Sequence, residues 1–102
     1  MEKNFFVQLA EKIRPAFGRV AIILHGSRIK GNYYPASDLD VLIISEKCLG
    51  RGGLRILYSF SEELNGIKLD YQLVCYENKD SWIVRNVLSS PHLVVVDDFN
   101  EF

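Results

Sequence analysis

Residues 20–44 run VAIILHGSRIKGNYYPASDLDVLII, and the order of residue types in this stretch decides the fold. Val20 to Leu24 is a short, largely β-branched apolar run that closes on His25, the pattern of a strand buried on both faces. It stops abruptly at Gly26-Ser27. Arg28 to Ser37 is polar and carries Gly31, Asn32 and Pro35, which suits a helical turn running out into a loop. Leu39 to Ser45 is a second buried strand, headed by the acidic residues Asp38 and Asp40.

Working outward, residues 4 to 17 predict an amphipathic helix, because Phe6, Leu9, Ala10, Ile13 and Phe17 recur at helical spacing. Pro15 should kink or stop it, and Gly18 is a C-terminal signal. Beyond the second strand, Gly50, Gly52 and Gly53 mark a turn. Leu54 to Leu64 then predicts a helix closed by Asn65-Gly66. Ile67 to Tyr76 predicts a third strand in which Ile67, Leu69, Tyr71 and Leu73 alternate with Lys68, Asp70 and Gln72. One face of it packs and the other meets solvent or a ligand. Asn78 or Asp80 can cap a helix through Ser89, with Ile83, Val84, Val87 and Leu88 inward, and Leu93 to Val96 is a short fourth strand. The order of elements predicts an α/β (α+β) domain with one mixed sheet of about four strands and helices packed on one face.

With 102 residues and 11.7 kDa, the chain has the length of one domain, taken as residues 1–102. Its apolar runs are too short to cross a bilayer, so no membrane partner is expected. The start Met1-Glu2-Lys3-Asn4 lacks a signal-peptide pattern. A net charge of −1 argues against bulk attraction to DNA or anionic lipid, so no direct DNA binding is expected. The two cysteines, Cys48 and Cys75, form no C-x-x-C unit, and two histidines accompany them. A zinc site or a disulfide framework is therefore not expected, which places the chain in the cytoplasm, with Cys75 as a small core residue. Tyr33, Tyr34, Trp82, Phe99 and Phe102 are divided between core and partner surface.

The chemistry lies in the acids. Asp38 and Asp40 are two apart at the head of a strand, so they share a face. Two unpaired carboxylates that close raise each other's pKa, and a divalent cation with hard oxygen ligands, such as Mg2+, removes the conflict. Asp70 stands mid-strand between apolar Leu69 and Tyr71. It completes a three-carboxylate cluster if its strand neighbours the second one; otherwise it is a charge on a wet face. A glycine after a buried strand lets the backbone approach a ligand closely. Ser27 adds a hydroxyl and an amide, and Arg28 and Lys30 add positive charge, which together could cradle a polyphosphate. This is not a Walker A loop: Gly26 and Gly31 have the spacing, but Asn32-Tyr33 follows where Lys and Ser or Thr are needed.

Gly26-Ser27, ten residues, then Asp38-Leu39-Asp40 resembles the G-S-x10-D-x-D signature of the polymerase-β-like nucleotidyltransferase superfamily. Gly-Ser-Arg-Ile-Lys-Gly and Ser37-Asp38-Leu39-Asp40 resemble in particular its minimal nucleotidyltransferases. The resemblance implies two-metal transfer of a nucleoside monophosphate, with AMP from ATP as the favoured case, to a hydroxyl acceptor with release of pyrophosphate. Asp38 and Asp40 would hold two Mg2+ ions, Asp70 would hold one of them, and all three would be catalytic. Gly26, Ser27, Arg28 and Lys30 would bind the nucleotide. His25 stands where apolar or aromatic residues are more usual. Small members are similar to antitoxins paired with a HEPN-domain toxin ribonuclease encoded nearby, which they inactivate by attaching AMP to a tyrosine. Two other functions stay open: a non-catalytic antitoxin acting by contact, and a transferase for a small hydroxylated molecule. Self-association also stays open.

Overall fold

Helix α1 (Lys3–Phe17) forms because its apolar residues repeat at the helical period, and Phe6, Leu9, Ala10, Ile13 and Phe17 are all buried. Pro15 lies inside it, and the helix continues two residues further. It ends at Gly18, whose N–H donates to the Arg14 carbonyl at 2.9 Å. The computed structural model describes residues 3–31 and 37–102. The expected loop at Asn32 to Ala36, with Tyr33, Tyr34 and Pro35, lies outside the described residues.

Strand β1 (Val20–His25) follows, then one helical turn, α2 (Ser27–Lys30), and strand β2 (Leu39–Ser45). Helix α3 (Gly50–Phe60) comes next, then the two-residue strand β3 (Glu63–Leu64), β4 (Ile67–Cys75), a 3-10 turn at Tyr76–Asn78, helix α4 (Trp82–Leu88) and β5 (Leu93–Asp97). The sheet has five strands in the order β3-β4-β2-β1-β5. β1 runs antiparallel to β2 and β5, while β2 and β4 are parallel, so the sheet is mixed. The result is one α+β domain. Its radius of gyration, 12.7 Å, is that of a compact chain of this length (about 13 Å).

Three expectations are corrected. Helix α3 starts at Gly50 rather than Leu54 and ends at Phe60 rather than Leu64. Asn65-Gly66 does not close a helix; it turns a hairpin pairing Leu64 with Ile67. Both turn residues have positive φ, 52° and 80°, the geometry Asn-Gly favours in two-residue hairpins. Local turn chemistry outweighed helical periodicity there. The single covered face is the second correction. Helices α1 and α3 pack on one face, against Val20, Ile22, Leu24, Leu39, Val41, Ile43, Leu69 and Tyr71. α4 packs on the other through Val84 and Val87, against Ala21, Ile23, Leu42 and Ile44.

The third correction concerns the cysteines. Cys75 is buried as expected, yet it is disulfide-bonded to Cys48. The parallel register sets Ser45 beside Cys75. The chain turns back after β2, bringing Cys48 to a Cα–Cα distance of 4.9 Å from Cys75, within disulfide range. The argument from unpaired cysteines to a reducing compartment loses its premise. Among the described residues, no helix is long and apolar enough to cross a membrane. Of the aromatics, Phe99 and Phe102 pack against the second core, whereas Trp82 is 78% exposed.

Candidate active site

The parallel pairing of β2 with β4 sets Asp40 directly opposite Asp70, and the antiparallel pairing of β1 with β2 sets His25 opposite Asp40. Residues level across a sheet point to the same face. Asp40 alternates with buried Leu39 and Val41, and Asp70 with buried Leu69 and Tyr71, all four packed on the α1–α3 side. The two acids therefore stand on the opposite face, in the same file as Leu42 and Ile44. α4 covers Ile23, Leu42 and Ile44, while Asp40 is only half-buried and Asp70 exposed. Asp38 is exposed, two residues before Asp40; its charge reaches Asp40, but the three carboxylates do not form a converged metal-ligand cluster among the described residues.

The electrostatics follow from this crowding. Burial is the largest influence and raises the pKa of Asp40. Asp70, whose carboxylate is within hydrogen-bonding reach, raises it further, as does Asp38, while His25 lowers it. Two adjacent carboxylate side chains fit a hard divalent cation. Asp40 and Asp70 would hold it, with Asp38 nearby in the chain.

Gly26 shows why the turn after β1 takes this form. Its φ is +88°, and a Cβ there would overlap the Asp40 carboxylate. Only glycine meets both conditions. Ser27 opens α2, so its amide has no carbonyl partner inside the helix. Arg28 Nε donates to the Ser37 carbonyl, which braces the chain as it enters Asp38. Lys30 is exposed on α2.

Gln72 is a further candidate that the sequence reading passed over. It follows Asp70 by two, so it shares that face, and this spacing was the available signal. His25 Nε2 and Gln72 Oε1 are 2.8 Å apart, and Gln72 Nε2 donates to Asp70 Oδ2 at 3.5 Å. His25 and Gln72 help line a cavity of about 280 Å3 between α2 and α4, together with Gly26, Lys30, Trp82, Asn86 and Ser90. A larger cavity, about 430 Å3, lies at the far end of the sheet beside Cys48 and Cys75. Its lining has no carboxylate, so size alone does not mark the chemistry. Cys48, Cys75 and Glu77 cluster beside it, but both sulfurs are already spent in the disulfide.

A search of curated proteins finds no match for this chain. Among solved structures, a protein from Sulfolobus solfataricus assigned as a nucleotidyltransferase is 18% identical with a TM-score of 0.59, covering 90% of this chain and 77% of that one. A chain of a toxin–antitoxin structure with AMP-PNP is 17% identical with a TM-score of 0.67, covering 95% of this chain and 74% of that one. At these identities the likeness is one of fold. A family model for polymerase beta nucleotidyltransferases matches residues 8–100, a span holding Gly26, Ser27, Asp38, Asp40 and Asp70, and the chain belongs to that family.

Proposed function

We propose that the protein transfers AMP from ATP to a hydroxyl acceptor, a tyrosine on a HEPN-type toxin partner, and releases pyrophosphate. The observation that carries this reading is the register of β2 on β4, which sets Asp40 beside Asp70 next to the Gly26 turn. The similarity to a chain of a toxin–antitoxin structure with AMP-PNP supports an adenine-nucleotide donor and a toxin as partner.

In the reaction, the acceptor oxygen bonds to the α-phosphorus as the bond to the pyrophosphate oxygen breaks. The hydroxyl proton leaves to solvent. Asp70, the more exposed of the adjacent pair, orients the attacking hydroxyl by accepting its hydrogen bond. The Gly26-Ser27 backbone grips the β- and γ-phosphates, and Arg28 and Lys30 offset their charge. Two Mg2+ ions held by Asp38, Asp40 and Asp70 would supply charge stabilisation at the attacking and leaving oxygens.

The test is thermal. At about 100 times its Kd, Mg-ATP should add about 2.7 kcal/mol, a shift of roughly ten degrees or more in a domain of this size. Asp40→Asn should abolish that shift. Its raised pKa means the folded state favours the protonated carboxyl, so the charged form costs stability as pH rises above about 3.9. Asp40→Asn should thus melt no lower than the parent without metal. Melting indifferent to Mg-ATP sinks the reading. Mass spectrometry of the partner after incubation with Mg-ATP should then show the gain of one AMP.

The toxin–antitoxin likeness favours one other function, neutralisation by contact. In that case Asp40→Asn would silence the toxin as well as the parent does.

A further inference from the structure

We infer that the cavity between α2 and α4 receives the base and ribose of the donor nucleotide, with Trp82 as the platform on which the base stacks. This rests on the nucleotidyl-transfer reading of the acids and adds to it the subsite that distinguishes a nucleotide from a bare polyphosphate.

Trp82 is the starting observation. It is the only tryptophan in the chain, and it stands 78% exposed at the first position of α4. The neighbouring apolar residues of that helix, Val84 and Val87, are buried. An exposed indole is expensive to leave in water, and it offers a flat face that any base can stack on.

Its position gives the ligand. Trp82 lines the same cavity as Gly26 and Lys30 from the turn assigned to the phosphates, as His25 from the row that includes Asp40 and Asp70, and as Gln72, two residues beyond Asp70 on the same face. A nucleotide with its α-phosphate at the acids and its β- and γ-phosphates on the turn has its sugar and base left to place. The adjoining concave space, about 280 Å3, is near the lower size limit of ligand pockets. It suits part of a nucleotide rather than all of it.

The lining has the matching chemistry. Asn86 is exposed, and its side-chain amide makes no hydrogen bond among the described residues. An amide can donate and accept together at a base edge, as asparagine does with adenine. The Gln72 amide is already engaged with His25 and Asp70. Those two hydrogen bonds hold His25 and Gln72 as a fixed floor under the space that the sugar would fill.

The experiment uses the full chain and its own fluorophore. Mg-ATP and Mg-tripolyphosphate are titrated separately while tryptophan fluorescence and melting are followed. ATP should quench the fluorescence and bind roughly tenfold or more tighter than tripolyphosphate. Trp82→Ala should weaken ATP binding by about 5- to 150-fold and leave tripolyphosphate binding unchanged. Trp82→Phe should keep most of the ATP affinity, because a stacking surface remains. If ATP and tripolyphosphate bind equally and Trp82→Ala changes neither, the base lies elsewhere. The inference then falls and the transferase reading stands. If Trp82→Ala spares ATP and loosens only the partner protein, the residue belongs to a protein interface and the inference also falls. Binding of neither ligand overturns both.

Discussion

The two faces of the sheet are built for different ends. On one face α1 and α3 cover most of the strands, and Phe6, Ile13, Phe17, Val20, Ile22, Leu24, Val41, Ile43 and Leu57 are wholly buried. On the other, the seven-residue α4 seals only Ala21, Ile23, Leu42 and Ile44. The remainder of that face, carrying His25, Asp40, Asp70 and Gln72, is left open. The closed face supplies the stability. The half-closed face can then carry Asp40 beside Asp70, a pairing that costs stability when both are charged and no cation is bound.

This contrast can be broken by deletion. Phe17→Ala, on the closed face, should cost about 3–5 kcal/mol, because the surrounding side chains cannot collapse into the gap. Val87→Ala under α4 should cost about 1.5–2 kcal/mol, the value of two buried methyl groups. Urea unfolding of both variants measures the difference. Equal losses would mean that α4 is as integral to the core as α1.

A smaller effect separates two glycines of α3. Gly53 is buried, and a Cβ there would press on Leu73 and on Leu49 Cβ, 3.0 Å away. Gly53→Ala should lose about 1–3 kcal/mol to overpacking, less whatever helix propensity returns. Gly52 faces open space, so Gly52→Ala should gain up to about 1 kcal/mol from propensity alone. Opposite shifts in melting temperature would sharpen the picture of α3 pressed tightly on the closed face.

The smallest effect is a charge clamp that ties α1 to the sheet. Asp98 accepts two hydrogen bonds from Arg14, both 2.9 Å, and one from the Val20 N–H, also 2.9 Å. The Arg14 hydrogen bond, more than any other influence, holds the Asp98 pKa below the usual carboxylate range. A lowered carboxylate pKa adds stability above the unfolded value, about 3.9, and loses it as pH falls through the folded value. The Arg14 side chain is 39% exposed, which limits the clamp to about 1 kcal/mol. Asp98→Asn should lower stability by that amount at pH 7 and narrow the gap to the parent below pH 4. A gap that stays constant with pH would assign the effect to packing.

Much of this was written locally. The strands Val20–His25 and Leu39–Ser45 fall at the residues their apolar runs mark. The alternation through Ile67–Cys75 also foretold which side of β4 is packed. Asp38, Asp40 and Gly26 could be singled out because two acids on one strand share a face and a glycine after a buried strand implies close approach. The end of α3 was misread because Leu64 continues a helical pattern that the Asn65-Gly66 turn overrides. The placing of α4 on the second face was not legible either, since an amphipathic helix shows that it has a buried side and not which surface it meets.

The sequence by itself determined most of the elements and the chemical groups: buried strands from apolar runs, a tight turn from Gly26, and the acids Asp38, Asp40 and Asp70. Tertiary structure alone decided who meets whom. Strand order and register are set by non-local packing, so only the parallel seating of β4 on β2 could bring Asp70 level with Asp40, 30 residues earlier in the chain. The same seating draws Cys75 to Cys48. Only the docking of α4 could set Trp82 at the rim of the cavity beside the acids. Periodicity reports the face a residue occupies, and the partner on that face is chosen by the whole chain collapsing at once.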